Sequence, residues 1–342
     1  PYIDWFHVED WPLRPYVHDE DNPHNYKAWW DMPALPKFNT DNPGVRDYIY
    51  DVARHWLEFG IDGWRLDVPS EIDDDEFWQG FRQVVKETNP EAYIVGEIWE
   101  EAQRWLQGDQ FDAVMNYLFA DRAMSFFRRT LNPNWDHEHF KFQPLDAAEF
   151  GQQIDYMHTL YDWEINHVQF NLLDSHDTAR ALWIMGEDKT ALEQCALFQM
   201  TMPGAPCIYY GTEIGLSSAG DPHCREAFPW HDPDSWDNDL FDHFRTAIDL
   251  RHKYPALRTG SFTPLYAAGH VYAFLRRLGR EQLIVIFNNG DEPASIELNE
   301  VNGAHNQVWP TVSEPAVFHP SETGQLEVEI SGRSTFILAR PA

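Results

Sequence analysis

Short apolar stretches that carry an acidic residue near their end alternate with amphipathic stretches along most of this chain. The stretch 61–68 carries Asp67, the stretch 92–98 carries Glu97, and the stretch 168–173 runs into Asp177. Strands that alternate with helices at this spacing predict a parallel sheet with crossover helices. In a parallel α/β barrel the functional groups lie at the C-terminal ends of the strands. We therefore expect these three carboxylates to converge on one site.

The pattern predicts two kinds of architecture in succession. Residues 1–44 lack a steady period and are rich in Pro, Asn, Asp and Trp, which indicates a long structured loop. From residue 259 onward, strands are joined by turns without a helical pattern between them, which predicts an antiparallel β domain. The predicted domains are residues 1–258 and 259–342. The predicted helices are 45–59, 74–89, 189–202 and 240–253, and the predicted strands are 61–68, 92–98, 111–115, 168–173, 206–210, 271–275, 283–287, 326–330 and 335–339.

Three acids at strand ends are the set of groups that glycoside hydrolysis uses. One carboxylate acts as nucleophile and a carboxylic acid protonates the leaving oxygen, while a third can favour the positively charged transition state. The alternative interpretation is that acids at strand ends cap the helices that follow. Arg65 lies two residues before Asp67, so both side chains should leave the same face of the strand and the guanidinium should keep Asp67 ionised. Its alternative role is a buried structural ion pair.

Neighbouring side chains suit these roles. Glu97 is flanked by Val95, Ile98 and Trp99, and an apolar environment of this kind suits a general acid. His176 precedes Asp177 directly and could donate hydrogen bonds to sugar hydroxyls.

Charge and composition exclude several other functions. The formal net charge is −31 and the sequence pI is about 4.7, so the surface should repel nucleic acids and anionic lipids and suits a neutral ligand. We predict no membrane span, because apolar runs of about 18 residues are absent. Three cysteines without metal-ligand spacing predict neither a disulfide framework nor a zinc site. Adaptation to salt and a generic gain in solubility both explain the acidity, and the sequence leaves the two open.

Several segments resemble conserved regions of the α-amylase superfamily. They are GWRLD at 63–67, VGEIW at 95–99 and NLLDSHDTAR at 171–180. LPKFN at 35–39, YYGTEIGL at 209–216 and DPHCREAFPW at 221–230 resemble regions of its neopullulanase, cyclomaltodextrinase and maltogenic amylase group. The resemblance runs from about residue 1 to the C-terminus, with the motifs in family order.

The resemblance implies a (β/α)8 barrel of the TIM type followed by a C-terminal antiparallel β-sandwich. It implies Asp67 as nucleophile, Glu97 as general acid/base and Asp177 as transition-state stabiliser. The substrate-binding residues that it implies are Arg65 and His176 around the central sugar, Trp99 as a stacking platform, Glu71 near the acceptor, and Asp221 and Arg225 on the non-reducing side. It implies an α-glucan or maltooligosaccharide substrate and an activity that requires no cofactor. Bound calcium is compatible with the resemblance, although the sequence contains no compact calcium-binding loop.

The chain also departs from the family pattern. Residues 67–71 read DVPSE where this group often has DVANE, which leaves the bond preference on the acceptor side open. By comparison with the family we expect the chain to hold about five of the eight barrel strands. Either it is part of a longer polypeptide, which we favour, or a second copy or the 1–44 segment covers the open edges of the sheet. A glucanotransferase or α-glucosidase on the same scaffold and a non-catalytic binding subunit are the alternative functions. The sequence leaves localisation open, with the cytoplasm favoured.

Overall fold

The computed structural model describes residues 2–15, 18–19, 22–137, 140–299, 305–309, 317–320 and 325–340. The chain divides into two units: Pro1–Ile98 with Ala102–Val114, and Trp99–Glu101 with Met115–Ala342. We describe each unit by itself. The predicted domain boundary at residue 258 remains a prediction.

The helices and strands of the first unit are the following: β1 His18–Asp19, β2 Asn22–Pro23, α1 Pro43–Phe59, β3 Gly63–Leu66, α2 Asp75–Thr88, β4 Tyr93–Gly96 and β5 Ala113–Asn116, whose last two residues belong to the second unit.

Both long helices of the first unit begin at side-chain caps. Asn42 accepts a hydrogen bond from the Gly44 N–H, and Asp74 accepts one from the Phe77 N–H. Such caps satisfy backbone donors that have no partner inside the helix. The predicted helices 45–59 and 74–89 are confirmed, with shifts of one or two residues at their ends. Residues 2–42 consist mostly of loop, and isolated bridges tie the segment to itself at Phe6–Phe38 and Ala28–Pro36.

The parallel strands follow one another in chain order, β3-β4-β5-β6-β7. In the first unit β3 pairs with β4, and β4 pairs with the first half of β5. In the second unit the other half of β5 pairs with β6, Phe170–Asn171, which pairs with β7, Ala205–Pro206. The predicted β/α class, with five parallel strands, is confirmed.

Helices connect the strands of the second unit and precede its antiparallel sheets. They are α3 Tyr117–Phe127, α4 Ala147–Thr159, α5 Trp163–Asn166, α6 Ala181–Ile184, α7 Lys189–Thr201, α8 Asn238–Lys253 and α9 Pro255–Thr259. The predicted helices 189–202 and 240–253 are confirmed within two residues. The helices α3 and α4 were not predicted.

An aromatic cluster forms much of the core of the second unit. Phe150 stacks on Phe126 at 4.2 Å between ring centroids and lies edge-to-face against Tyr272 at 4.9 Å. Phe127 and Phe198 both contact Phe287. Because each aromatic side chain buries a large apolar area, this cluster joins α3, α4 and α7 to the antiparallel strands.

The antiparallel strands form two sheets. They are β8 Ser261–Ala268, β9 Val271–Leu278, β10 Glu281–Asn288, β11 Ala294–Leu298, β12 Asn306–Trp309, β13 Val317–Pro320, β14 Leu326–Ile330 and β15 Ser334–Arg340. One sheet has the order β12-β15-β10-β9-β8 and the other has β11-β14-β13. Buried residues of both sheets, such as Ile286 and Val328, share one apolar core. The predicted C-terminal antiparallel β domain is confirmed.

Candidate active site

Asp67 directly follows β3, and its carboxylate is held by an arginine of the same strand. The Arg65 Nη1 atom lies 2.6 Å from Asp67 Oδ1. The two residues are separated by one position, so an extended backbone places both side chains on one face. The contact confirms the prediction that Arg65 and Asp67 leave the same face of the strand, and the Asp67 side chain is 77% exposed.

Glu97 follows the neighbouring strand β4. Its N–H donates to the Leu66 carbonyl oxygen at 2.9 Å, which continues the parallel ladder and sets Glu97 beside the end of β3. Its side chain is only 3% exposed. The Oε2 atom accepts from Arg65 Nη2 at 2.9 Å and from the Val68 N–H at 3.0 Å. One guanidinium therefore bridges the two carboxylates that were predicted as nucleophile and acid.

The environment of Glu97 is more polar than its sequence neighbours indicate. Its burial agrees with the apolar residues around it in the chain, but a cation and a backbone amide meet the same carboxyl oxygen. Both groups favour the ionised carboxylate, whereas burial disfavours it. The hydrogen bond from the Val68 amide to Glu97 was not predicted. Every residue except proline carries the same backbone donor, and the sequence does not indicate in which direction that donor points.

Glu71 lies at the end of a 3-10 helix, Pro69–Glu71, four residues after Asp67. Lys37 Nζ contacts Glu71 Oε2 at 3.0 Å. A cavity of about 570 Å³ is lined by both residues and by Phe38, Ile72 and others of the first unit. Lys37 belongs to the LPKFN segment, one of the motifs that resemble the family. The motif was identified from the sequence, but the contact of Lys37 with Glu71 was not predicted.

Asp177, in the second unit, accepts bonds from two cationic or titratable side chains. His176 Nε2 lies 2.8 Å from Asp177 Oδ2, and Arg225 Nη2 lies 2.9 Å from Asp177 Oδ1. The Arg225 Nε atom contacts Asp221 Oδ1 at 2.7 Å. Four of the residues predicted from the sequence therefore form one connected cluster.

Backbone and hydroxyl groups hold this cluster in place. Arg225 Nε also donates to the His176 carbonyl oxygen at 3.0 Å, and the Asp177 N–H donates to Ser175 Oγ at 3.2 Å. Ser175 Oγ in turn lies 3.1 Å from the Tyr117 hydroxyl. Tyr117 and Arg225, which lie elsewhere in the same unit, thus hold the segment 175–177 in place.

Asp174, in the same sequence cluster, has a structural role. It is 2% exposed, and it accepts from the Ala181 N–H at 2.9 Å and from Thr212 Oγ1 at 2.8 Å. Burial raises the pKa of this carboxyl to about 6, and the hydrogen bonds oppose that rise only in part. Since Asp174 meets the first residue of α6, it fits the capping interpretation of strand-end acids.

Trp99, the predicted sugar platform, stacks on other rings of its unit. Its ring lies nearly parallel to that of Tyr117, with centroids 3.8 Å apart. His137 lies at 5.3 Å with an interplanar angle of 18°, and Phe140 meets the ring edge-on. This ring stack orients the indole, and stacking of Trp99 on a sugar remains a prediction.

The predicted site residues fall into two sets. Arg65, Asp67, Glu71 and Glu97 belong to the first unit, and Trp99, His176, Asp177, Asp221 and Arg225 belong to the second. Within each set, several of these side chains are in contact, as for Arg65 with Glu97 and for Arg225 with Asp177. Convergence of all three carboxylates remains a prediction.

Two negative findings concern the part of the chain that the structure describes. In it, no group of three or more His, Cys, Asp or Glu side chains is arranged to hold a metal ion. No helix among the same residues combines the length and the apolar character that crossing a membrane requires.

Comparison with known proteins gives a consistent result. Residues 16–235 match the family model of the α-amylase catalytic domain. A cyclomaltodextrinase of Geobacillus thermopakistaniensis is 42% identical over 302 residues, covering 87% of this chain and 48% of the relative. Neopullulanase 2 of Thermoactinomyces vulgaris is 39% identical over 311 residues, covering 90% and 50%. The chain thus spans about half the length of the curated relatives it matches.

Solved structures agree with the sequence relatives. The Nostoc punctiforme debranching enzyme superposes with a TM-score of 0.92 at 43% identity, covering 99% of this chain and 70% of that one. A cyclic α-maltosyl-(1→6)-maltose hydrolase of Arthrobacter globiformis superposes with a TM-score of 0.81 at 32% identity, covering 99% and 69%. The family model spans well over half of the residues, and the fold and motifs agree with it, so this chain belongs to the α-amylase family.

Proposed function

We propose that this chain carries the catalytic groups of a retaining glycoside hydrolase that cleaves α-1,4-glucosidic bonds. Asp67 is the nucleophile, Glu97 the general acid/base and Asp177 the stabiliser of the transition state. The observation that supports this proposal best is the shared guanidinium of Arg65, which contacts Asp67 and Glu97 at 2.6 and 2.9 Å. Retaining enzymes need two closely spaced carboxyl groups, about 5–5.5 Å apart.

In the first step, Glu97 donates its proton to the glycosidic oxygen while Asp67 attacks the anomeric carbon. Asp67 Oδ1 accepts from Arg65, so we assign the attack to Oδ2. The bond between the anomeric carbon and the leaving oxygen breaks, and its electron pair stays on that oxygen, which carries the proton away as a hydroxyl. A covalent glycosyl ester of Asp67 remains.

In the second step, the Glu97 carboxylate removes a proton from water, and the resulting oxygen attacks the anomeric carbon. The ester bond breaks, Asp67 leaves as a carboxylate, and Glu97 regains its proton. Asp177 favours the positive charge that develops on the sugar in both steps. All three groups are carboxyls, so this chemistry needs no organic cofactor.

The substrate class rests on the names of the relatives and on charge. Cyclomaltodextrinases and a neopullulanase are among the curated relatives, and we propose maltooligosaccharides, cyclodextrins, starch and pullulan as substrates. A net charge of −31 does not hinder a neutral glucan, whereas it would repel an anionic one.

Hydrolysis assays on the purified chain test the proposal. We expect release of reducing ends from maltoheptaose, β-cyclodextrin or pullulan, and loss of that release in Asp67→Asn. Asp62→Asn, which changes an exposed carboxylate just before β3, is the matched control and should retain activity. Products longer than the substrate would favour a glucanotransferase, and binding of cyclodextrin without turnover would favour a binding subunit.

A further inference from the structure

Val68, the residue after the proposed nucleophile, has a backbone conformation that its side chain disfavours. Its φ is 35° and its ψ is 56°, in the left-handed region. A β-branched residue is a true outlier there, because its side chain crowds the following carbonyl. Val68 also precedes Pro69, and a following proline favours extended conformations over helical ones. Two local preferences thus oppose the observed conformation.

The left-handed turn at Val68 directs its amide toward the proposed acid. The Val68 N–H donates to Glu97 Oε2 at 3.0 Å. Hydrogen bonds from the Glu71 N–H to the Val68 carbonyl oxygen and from the Ile72 N–H to the Pro69 carbonyl oxygen, at 3.0 and 3.1 Å, close the turn. Strained conformations persist only where the surroundings impose them, and they occur often at functional sites.

Close packing on the neighbouring strand holds the turn from the other side. Pro69 is buried, and a Cβ atom added to Gly96 would lie 3.3 Å from Pro69 Cγ and 2.8 Å from the Phe111 ring. Only glycine leaves that space, so the proline can pack against the residue that precedes Glu97. The turn is therefore connected to the end of β4 both by the Val68 amide and by the Pro69 ring.

Two donors hold one oxygen of Glu97. Oε2 accepts from both Arg65 Nη2 and the Val68 amide, so we assign the transferable proton of the general acid to Oε1. Among the contacts described in the first unit, Glu97 meets the charged guanidinium of Arg65, which also holds Asp67. The Arg65 side chain can rotate about its bonds and therefore fixes the Glu97 carboxyl less firmly. A backbone amide in a closed turn points in one direction.

We propose that Val68 is a positioning residue: its strained amide fixes the Glu97 carboxyl so that Oε1 presents the proton to the glycosidic oxygen. This inference rests on the function proposed above for Glu97. It also gives a role to Pro69, a position at which the chain departs from its group, because the buried proline secures the turn.

Replacing the amide by an ester tests this role, since the ester keeps the shape of the chain and removes one donor. Incorporation of α-hydroxyvaline at position 68 should lower kcat on maltooligosaccharides about tenfold with little change in KM. The loss should be much smaller on α-maltosyl fluoride, whose leaving group needs little protonation. The basic limb of the pH–rate profile should move up by about one unit, because a donor to the carboxylate form is gone.

One control separates positioning from a merely structural role. α-Hydroxyisoleucine at position 72 removes an amide from the same turn, the one that donates to the Pro69 carbonyl oxygen, and it should leave the pH profile unchanged. An unchanged kcat and basic limb for the ester at 68, or an equal shift of the basic limb for the ester at 72, would overturn the proposal.

A second readout does not depend on catalysis. In protein labelled with 13C at the glutamate carboxyl carbons, the Glu97 signal is assigned by its loss in Glu97→Gln. Its titration midpoint should move to higher pH in the ester at 68 and stay in place in the ester at 72. An unmoved midpoint refutes the role of Val68, whereas absent turnover by the unmodified protein refutes the proposed hydrolase function alone.

Discussion

Replacing Arg65 by glutamine should destabilise the protein far more than replacing a similar arginine nearby. Arg65 contacts Glu97, which is 3% exposed, and Asp67, which is 77% exposed. Breaking a buried ion pair by removal of one partner costs about 3–5 kcal/mol. The Arg65 side chain is itself 32% exposed, so solvent screens part of the interaction, and we expect Arg65→Gln to lower the free energy of unfolding by about 2–3 kcal/mol.

Arg104 provides the matched control. It also contacts two carboxylates, at 2.6 Å to Asp73 and 2.9 Å to Asp75, but all three side chains are substantially exposed. Exposed pairs contribute about 0–1 kcal/mol, so Arg104→Gln should cost less than about 1 kcal/mol. Urea unfolding at pH 7 measures both values.

A double-mutant cycle then assigns the loss to one partner. Adding Glu97→Gln to Arg65→Gln should restore most of the lost stability, because a buried amide needs no cation. Adding Asp67→Asn should restore little, since Asp67 is already hydrated. Equal costs for the substitutions of Arg65 and Arg104, or equal coupling of Arg65 to Asp67 and to Glu97, would refute this account of the site.

Three further predictions concern catalysis, pH and salt. Glu97→Gln should slow hydrolysis of maltooligosaccharides by 10²-fold or more, on the order of what proton transfer contributes, and slow glycosyl fluorides much less; equal losses on both would rule out Glu97 as the acid. Burial lowers the pKa of His158 to about 4, so the folded state binds fewer protons than the unfolded state. The free energy of unfolding should therefore fall by about 2 kcal/mol as the pH drops from about 6.5 to 4. In urea unfolding, His158→Gln should lack most of that fall, and an unchanged pH dependence of stability would contradict this role of His158. If the charge of −31 is an adaptation to salt, the melting temperature should rise with NaCl as self-repulsion is screened, and a flat or falling curve would leave only the solubility interpretation.

Three capped amphipathic helices were predicted from the sequence, and α3 was not. The helices α1, α2 and α8 carry an apolar face and are capped by Asn42, Asp74 and Asp237, which are residues that cap helices well. Most of α3 is buried around its whole circumference, and a helix of this kind lacks the periodic contrast that identifies an amphipathic one. Periodic contrast does not decide every case, because the evenly buried α7 was predicted and the capped amphipathic α4 was not.

The parallel strands were predicted too long because local backbone geometry ends them. The prediction 61–68 includes Val68, whose left-handed conformation ends the extended segment. The prediction 206–210 was wrong beyond Pro206, although the Cys207 N–H still donates to the Asn171 carbonyl oxygen at 2.7 Å. The chain then turns at Gly211, where φ is 88°. Apolar composition favours a strand at these positions, but it carries no information about where such turns occur.

The site was predicted from acids at strand ends, and its supporting contacts were not. A position near the end of a strand can be read from the sequence, so Asp67 and Glu97 could be selected together with Arg65. The contacts of Lys37 with Glu71 and of the Val68 amide with Glu97 join residues 34 and 29 positions apart. Only the folded chain brings such pairs together, because neither follows from a local pattern.

The proposed mechanism requires that Asp67 form a covalent glycosyl ester during turnover. Incubation with a 2-deoxy-2-fluoro-maltosyl donor that has a good leaving group should slow the second step and trap that ester. Mass spectrometry of peptides should then place the added sugar on Asp67, and Asp67→Asn should remain unlabelled while Asp62→Asn is labelled like the unmodified protein. Label on Glu97 or Asp177, or turnover of the donor with inversion at the anomeric carbon, would contradict the proposed mechanism.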